Sequence, residues 1–128
     1  MVSIELSTRE CGGQLVVALR GELDVVDAAS VAASLAAVAA NGRHIILDLK
    51  GLEFIDSSGL AALVRGRQRA RQAGCEMHLA APQQQVLRVL ALTRLTDVFP
   101  VHIGVDEAAS SRDSAAPTAG SLGARAAT

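Results

Sequence analysis

The sequence predicts an α/β fold built on one mostly parallel sheet of about five strands with alternating helices, and three observations carry that prediction. Short apolar runs alternate with helix-length segments, a Cys11-Gly12-Gly13 turn joins two strand-like runs near the start, and Gly, Pro, Asp or Ser punctuates almost every junction. Strand, helix and strand in succession form right-handed parallel crossovers, so only the first two strands are expected to pair antiparallel, as a hairpin.

Val2 to Leu6 and Gln14 to Arg20 read as the hairpin strands, with Gly21 ending the second. Asp27 is the candidate N-cap of a helix from about Ala28 to Ala40, with Val31, Leu35 and Val38 on one stripe and Asn41-Gly42 as the stop. His44 to Leu49 is a nearly continuous apolar run, as in a strand buried on both faces. Ser57 to Ala73 follows as a helix ending at Gly74; Arg67 and Arg71 extend the stripe of Leu60, Leu63 and Val64 past the sheet, where their heads can reach water. Cys75 to Ala81 then reads as a strand, Pro82 to Leu92 as a helix opened by proline, Phe99 to Ile103 as a strand, and Asp106 as the cap of a last short helix. Residues 1–109 make one domain, and 110–128, rich in Ala, Ser, Gly and Thr, are expected to form a disordered tail.

Composition narrows the function. With 128 residues, 50% of them hydrophobic, the chain can bury one core. A formal net charge of −1 supplies no basic field for nucleic acid or an anionic membrane. Cys11 and Cys75 have neither metal-ligand nor disulfide-framework spacing, no secretory leader opens the chain, and the most apolar stretch, Val31 to Ala40, is too short to span a bilayer. A cytoplasmic protein without metal or cofactor is expected. His44, His78 and His102 lie in or beside strands without metal-ligand pairing and read as structural.

The chemistry concentrates in Asp56-Ser57-Ser58-Gly59-Leu60, which joins an apolar strand to a helix. Asp and Ser are preferred helix caps, so a purely structural turn accounts for part of it. Two adjacent hydroxyls exceed the needs of one cap, and Gly59 leaves the backbone open to close approach by another molecule. A phosphate on a serine here would sit at the partially positive end of a helix. No P-loop or kinase signature accompanies it, so the chain reads as a substrate rather than an enzyme.

Ile45-Ile46-Leu47-Asp48-Leu49, then Leu52, Phe54 and Asp56-Ser57-Ser58-Gly59-Leu60, resembles the signature of STAS-domain anti-sigma factor antagonists, the anti-anti-sigma factors of bacteria. Gly21-Glu22-Leu23-Asp24 matches that family's tetrapeptide before its first long helix, and Pro82, Val86, Leu90, Leu92-Thr93 and Phe99-Pro100-Val101 resemble its closing half. The resemblance implies a single STAS domain whose unphosphorylated form binds an anti-sigma factor with serine kinase activity, thereby releasing a sigma factor. Phosphorylation at Ser57 switches binding off until a serine phosphatase resets it. It implies partner contacts at Glu22, Asp24, Asp56, Ser57, Ser58, Gly59 and Leu60, Ser58 only as a neighbour, and a monomer when free. Arg94 departs from the family, standing where a glycine is usual after Leu-Thr; Asp27 replaces a more usual threonine. Two other classes stay open: a non-switching STAS interaction module (stress-signalling scaffold, nucleotide-binding or lipid-transport component), and a hydrolase using Ser57 or Ser58. The hydrolase reading lacks the glycine two residues before either serine.

Overall fold

The computed structural model describes residues 3–115, whose five strands form one sheet in the order β1-β2-β3-β4-β5. β1 (Ile4–Cys11) and β2 (Gln14–Leu23) pair antiparallel, with Cys11 opposite Gln14 at the turn. β3 (Ile45–Ile55), β4 (Met77–Ala80) and β5 (Val101–His102) continue the sheet in parallel, each reached by a helix crossover. The helices are α1 (Val25–Ala39), α2 (Ser57–Gln72), α3 (Gln84–Leu92) and α4 (Val105–Ala115), with a short 3-10 turn at Leu95–Asp97. The α/β alternation and mainly parallel sheet expected from the sequence are therefore present. Residues 1, 2 and 116–128, and with them most of the expected tail, lie outside the described residues; α4 itself runs across the expected boundary at 110.

Element ends differ from expectation for identifiable reasons. Gly21 does not end β2: it stays in the strand at φ +106°, where a Cβ would lie 2.2 Å from the Ser3 carbonyl oxygen. Glu22 N–H donates to that same oxygen at 2.7 Å, so the start of β1 holds the end of β2 in place. α1 is capped by Asp24 rather than Asp27: the Asp24 carboxylate accepts from Val26 N–H at 3.0 Å, and Asp27, inside the first turn, accepts from the Ser3 hydroxyl. Pro82 lies before α3 rather than in its first turn, and Asp106 lies within the first turn of α4 rather than capping it.

β3 is nearly twice as long as expected because it contains two irregularities against β2, at Ala18/Arg20 and Gly21/Glu22. Each adds one residue to β3, so the positions facing the main core step by three, from Leu49 to Leu52 to Ile55, instead of by two. Simple alternation stops at the first of them, which is why the sequence pattern ends near Leu49.

The sheet separates two cores of unequal size. Val17, Leu19, Leu47, Leu49 and Leu79 meet Val31 and Leu35 of α1, Leu60 and Leu63 of α2, and Val86 and Leu90 of α3 in the larger one. The opposite face carries a small cluster, Val16, Ile46 and Ala80, covered by Ala108 and Ala109 of α4. The buried Gln14 side chain fastens that helix, donating from Nε2 to the Ala109 carbonyl at 3.2 Å.

Two of the three histidines, His78 and His102, form a linked group, and His44 Nδ1 accepts from Glu76 N–H at 3.1 Å. His78 Nε2 lies 2.9 Å from Glu76 Oε1, and its Nδ1 lies 3.0 Å from Nε2 of His102, against which it stacks with centroids 5.1 Å apart. Burial and the neighbouring His78 hold the His102 pKa below the usual imidazole value, against an opposing pull from Glu107. The folded state therefore binds fewer protons than the unfolded chain just below an unfolded pKa of about 6.5. His102 should thus contribute stability that is complete above that pH and lost as pH falls toward the folded pKa. Urea midpoints of His102→Gln, measured across that window, should show a flatter pH dependence than wild type; parallel curves would contradict it.

Arg94 occupies the left-handed region at φ +63°, which explains the glycine usual at that place in the resembled family. A left-handed non-glycine residue costs about 1–2 kcal/mol, partly offset by the freedom glycine gains in the unfolded chain. Arg94→Gly should raise stability by about 0.5–1 kcal/mol in urea denaturation, since the exposed Arg94–Asp97 pair at 3.8 Å contributes little.

Candidate functional site

Two strand ends and two helix starts meet along one rim of the sheet, the edge formed by the C-terminal ends of the interior strands β2 and β3. The β2–β3 register sets Glu22 opposite Phe54 and Leu23 opposite Ile55, and Asp56 N–H donates to the Leu23 carbonyl at 3.2 Å. Immediately beyond, each strand turns into a helix capped by an aspartate, Asp24 for α1 and Asp56 for α2. The Asp56 carboxylate accepts from Gly59 N–H at 2.9 Å while its carbonyl accepts from Leu60 N–H at 2.9 Å. Glu22, Asp24, Asp56, Ser57 and Ser58, separated by up to 36 positions in the chain, thereby share one edge.

Their exposures differ. Ser57, the first residue of α2, and Glu22 are exposed, whereas Asp24, Asp56 and Ser58 are half-buried. Gly59 and Leu60, expected as contact residues, are buried in the isolated chain. A Cβ on Gly59 would lie 2.8 Å from both the Leu23 carbonyl oxygen and Ile55 Cγ1, so the close approach it allows is to the chain's own backbone rather than to another molecule. Leu60 belongs to the larger core. Both anchor the turn that presents Ser57.

Val25, Val26 and Phe54 were not singled out as contact residues from the sequence. Val25 and Val26, 71% and 79% exposed, open α1 next to this edge, and Phe54, 48% exposed, lies one residue before the end of β3 beside it. The second irregularity of β3 sends Ile55 inward and leaves Phe54 outside, reversing the alternation that the buried Leu52 would otherwise set. Arg65, two turns along α2, lines a hollow of about 390 Å³ together with Ser57, Ser58, Val25 and Ala28. From the sequence Arg65 fits either an acidic partner or a solvated helix face, and the spacing of Ser58, Ala61 and Arg65 sets them on one side of α2.

Among the described residues no group of three or more His, Cys, Asp or Glu side chains is arranged to hold a metal ion. The histidines give the hydrolase reading no support. His102 pairs with Ala80, and through it with Asp48, which lies roughly 20 Å down the strand from Ser57; His78 and His44 are farther still. No imidazole is placed to activate either serine. No described helix is long and apolar enough to cross a membrane.

The STAS domain family matches residues 5–108. The chain belongs to the STAS-domain family of anti-sigma factor antagonists. Over 103 residues this STAS domain is 30% identical to the anti-sigma F factor antagonist of Paenibacillus polymyxa, covering 79% of this chain and 88% of that one. It superposes on an anti-sigma factor antagonist from Mycobacterium paratuberculosis with a TM-score of 0.77 at 27% identity, covering 85% and 93% of the two chains. It shares its fold with the antagonist SpoIIAA in its unphosphorylated form, with a TM-score of 0.72 at 20% identity over 86% and 97%.

Because Gly59 packs against the Leu23 backbone, Gly59→Ala should destabilise this STAS domain by about 1–3 kcal/mol through overpacking. A lowered urea midpoint at unchanged slope is expected, with the largest amide shifts at Leu23 and Asp56.

Proposed function

We propose that this chain is a partner-switching antagonist: unphosphorylated, it binds an anti-sigma factor that is also a serine kinase and so frees a sigma factor. Phosphorylation of Ser57 ends that binding, and a serine phosphatase restores it. The observation that carries the proposal is the exposed Ser57 hydroxyl at the first position of α2, beside Glu22 and Asp24 at the start of α1. The names of the relatives supply the partner class: an antagonist of an anti-sigma factor acts by binding one. The reading places the protein in the cytoplasm, where the transcription machinery and ATP are found, with Glu22, Asp24, Asp56, Ser57 and Ser58 at the contact surface.

The switch follows from electrostatics. In the kinase complex, Ser57 Oγ attacks the γ-phosphorus of ATP, the bond to the bridging β–γ oxygen breaks, ADP leaves and the hydroxyl proton passes to a base on the kinase. The product carries about two more negative charges at an edge that already holds Glu22, Asp24 and Asp56. The fold tolerates the phosphate, because the start of α2 presents backbone N–H groups and the positive end of its dipole. A partner surface that covers the edge without a matching cation leaves a buried unpaired charge, which costs about 2–5 kcal/mol, or roughly 30-fold to several thousand-fold in affinity.

Ser57→Ala should bind the kinase as wild type does but escape phosphorylation, and Ser57→Asp should bind at least about tenfold more weakly. Calorimetric titration of the kinase with both variants and the phosphoprotein checks this; equal affinity for all forms, or phosphate on Ser58 alone, would contradict it.

A further inference from the structure

The hollow beside Ser57 continues along the outer seam between α1 and α2. A second hollow of about 450 Å³ shares Ala29 and Arg65 with the first and runs past Ala33 and Ala36 of α1 on one side and Gln68 and Arg69 of α2 on the other. Together they form a groove with an alanine wall on α1, an arginine and glutamine wall on α2, and no acidic side chain lining it. Arg65 and Arg69 are both exposed and line the groove, and Arg69 Nη1 donates to Gln72 Oε1 at 3.1 Å, a single one of its five donors. α2 has 16 residues and is therefore about 24 Å long, enough to lie against four helical turns.

We infer that this α1–α2 groove is the docking site for an acidic amphipathic helix of a protein partner. Such a helix sets its apolar face on the alanines and places carboxylates on Arg65 and Arg69. A polyanion such as nucleic acid fits less well, because its charge would continue over Glu22, Asp24 and Asp56 at the Ser57 end. The exposed Val25 borders that end and extends the apolar contact. The groove also explains how one phosphate acts on a whole interface, a consequence that rests on the partner-switching reading above. Ser57 and Arg65 line one hollow, so a phosphate on Ser57 competes with the partner's carboxylates for the Arg65 guanidinium and adds like charge at the groove's mouth.

The test uses two synthetic peptides about four helical turns long with leucines on one face. One carries flanking glutamates, the other lysines in their place, and each is titrated into the isotope-labelled full chain and followed by amide NMR shifts. The glutamate peptide should shift Ala29, Ala33, Ala36, Gln68 and Arg69, and the lysine peptide should not. Affinity for the glutamate peptide should fall at least about tenfold in the Arg65→Gln/Arg69→Gln double variant and in Ser57-phosphorylated protein. Ala33→Glu, at an exposed position, should abolish binding by placing a carboxylate within the groove. Equal response to both peptides, shifts centred elsewhere, or unchanged affinity in the arginine double variant would overturn the inference. The peptide comparison does not depend on Ser57 chemistry: absence of phosphate on Ser57 in cells would sink the switch and leave the groove standing, whereas a negative peptide result with intact kinase binding would sink the groove alone.

Discussion

The parallel pairing of β2 with β3, closed by the hydrogen bond from Asp56 N–H to the Leu23 carbonyl, is the constraint on which the rest of the molecule depends. It makes the two strands end together, so both following helices start together. Because α1 and α2 begin at the same sheet edge and return along the same face, they must pack on each other, and Leu35 of α1 fills the space that Gly66 of α2 leaves open. The functional edge and the helix pair beneath it are thus one construction. Two aspartate caps stand where the backbone leaves the sheet, each satisfying N–H groups that the helix itself cannot.

The same constraint gives Ser57 its character. An exposed hydroxyl could sit on any loop, but here the residues on either side are immobilised: Asp56 holds Gly59, Gly59 touches the Leu23 backbone, and Leu60 is sunk in the core. The serine is therefore presented on a rigid support, which the proposed kinase would grip without first ordering a loop. Because the support is already ordered, a phosphate added there has little structure left to reorganise, and its effect falls on whatever meets the edge from outside.

Much of this was visible in the residues alone. The αβ alternation followed from apolar runs and their punctuation, and the Ser57 helix start was placed correctly because the Asp56 cap is a local signal. What local signals missed was set by partners distant in sequence. Asp24 and Asp27 are equally good caps on paper; the backbone leaves the extended region at Asp24, which caps the helix, and Asp27, inside the first turn, is instead engaged by Ser3, 24 positions away. Gly21 looked like a stop and is instead a close contact with the first described strand. The placing of Leu52 on the same face as Leu49 depends on irregularities in a strand pair, and the His78–His102 contact depends on the β4–β5 register, neither of which a single-strand pattern encodes. Arg94 was flagged only as a departure from a family pattern, and its positive φ supplies the reason that glycine is usual there.

The composition of α1 has a further consequence. A helix of 15 residues that packs on a sheet needs large apolar residues on its inner stripe, and Val31 and Leu35 provide them. Its outer shoulder needs only helix-forming residues, and Ala29, Ala33 and Ala36 satisfy that requirement with the smallest side chains available. Leucines there would bury more surface against α2, at about 25 cal/mol for each Å² removed from water, and would close the seam. With alanines the seam stays open while the inner contact at Gly66 and Leu35 remains tight, so the hollow arises from side-chain size and not from separation of the helices. The stability that larger residues would have supplied is left to be gained by a second molecule, and the arginines along the facing wall determine which sign of charge that molecule must carry.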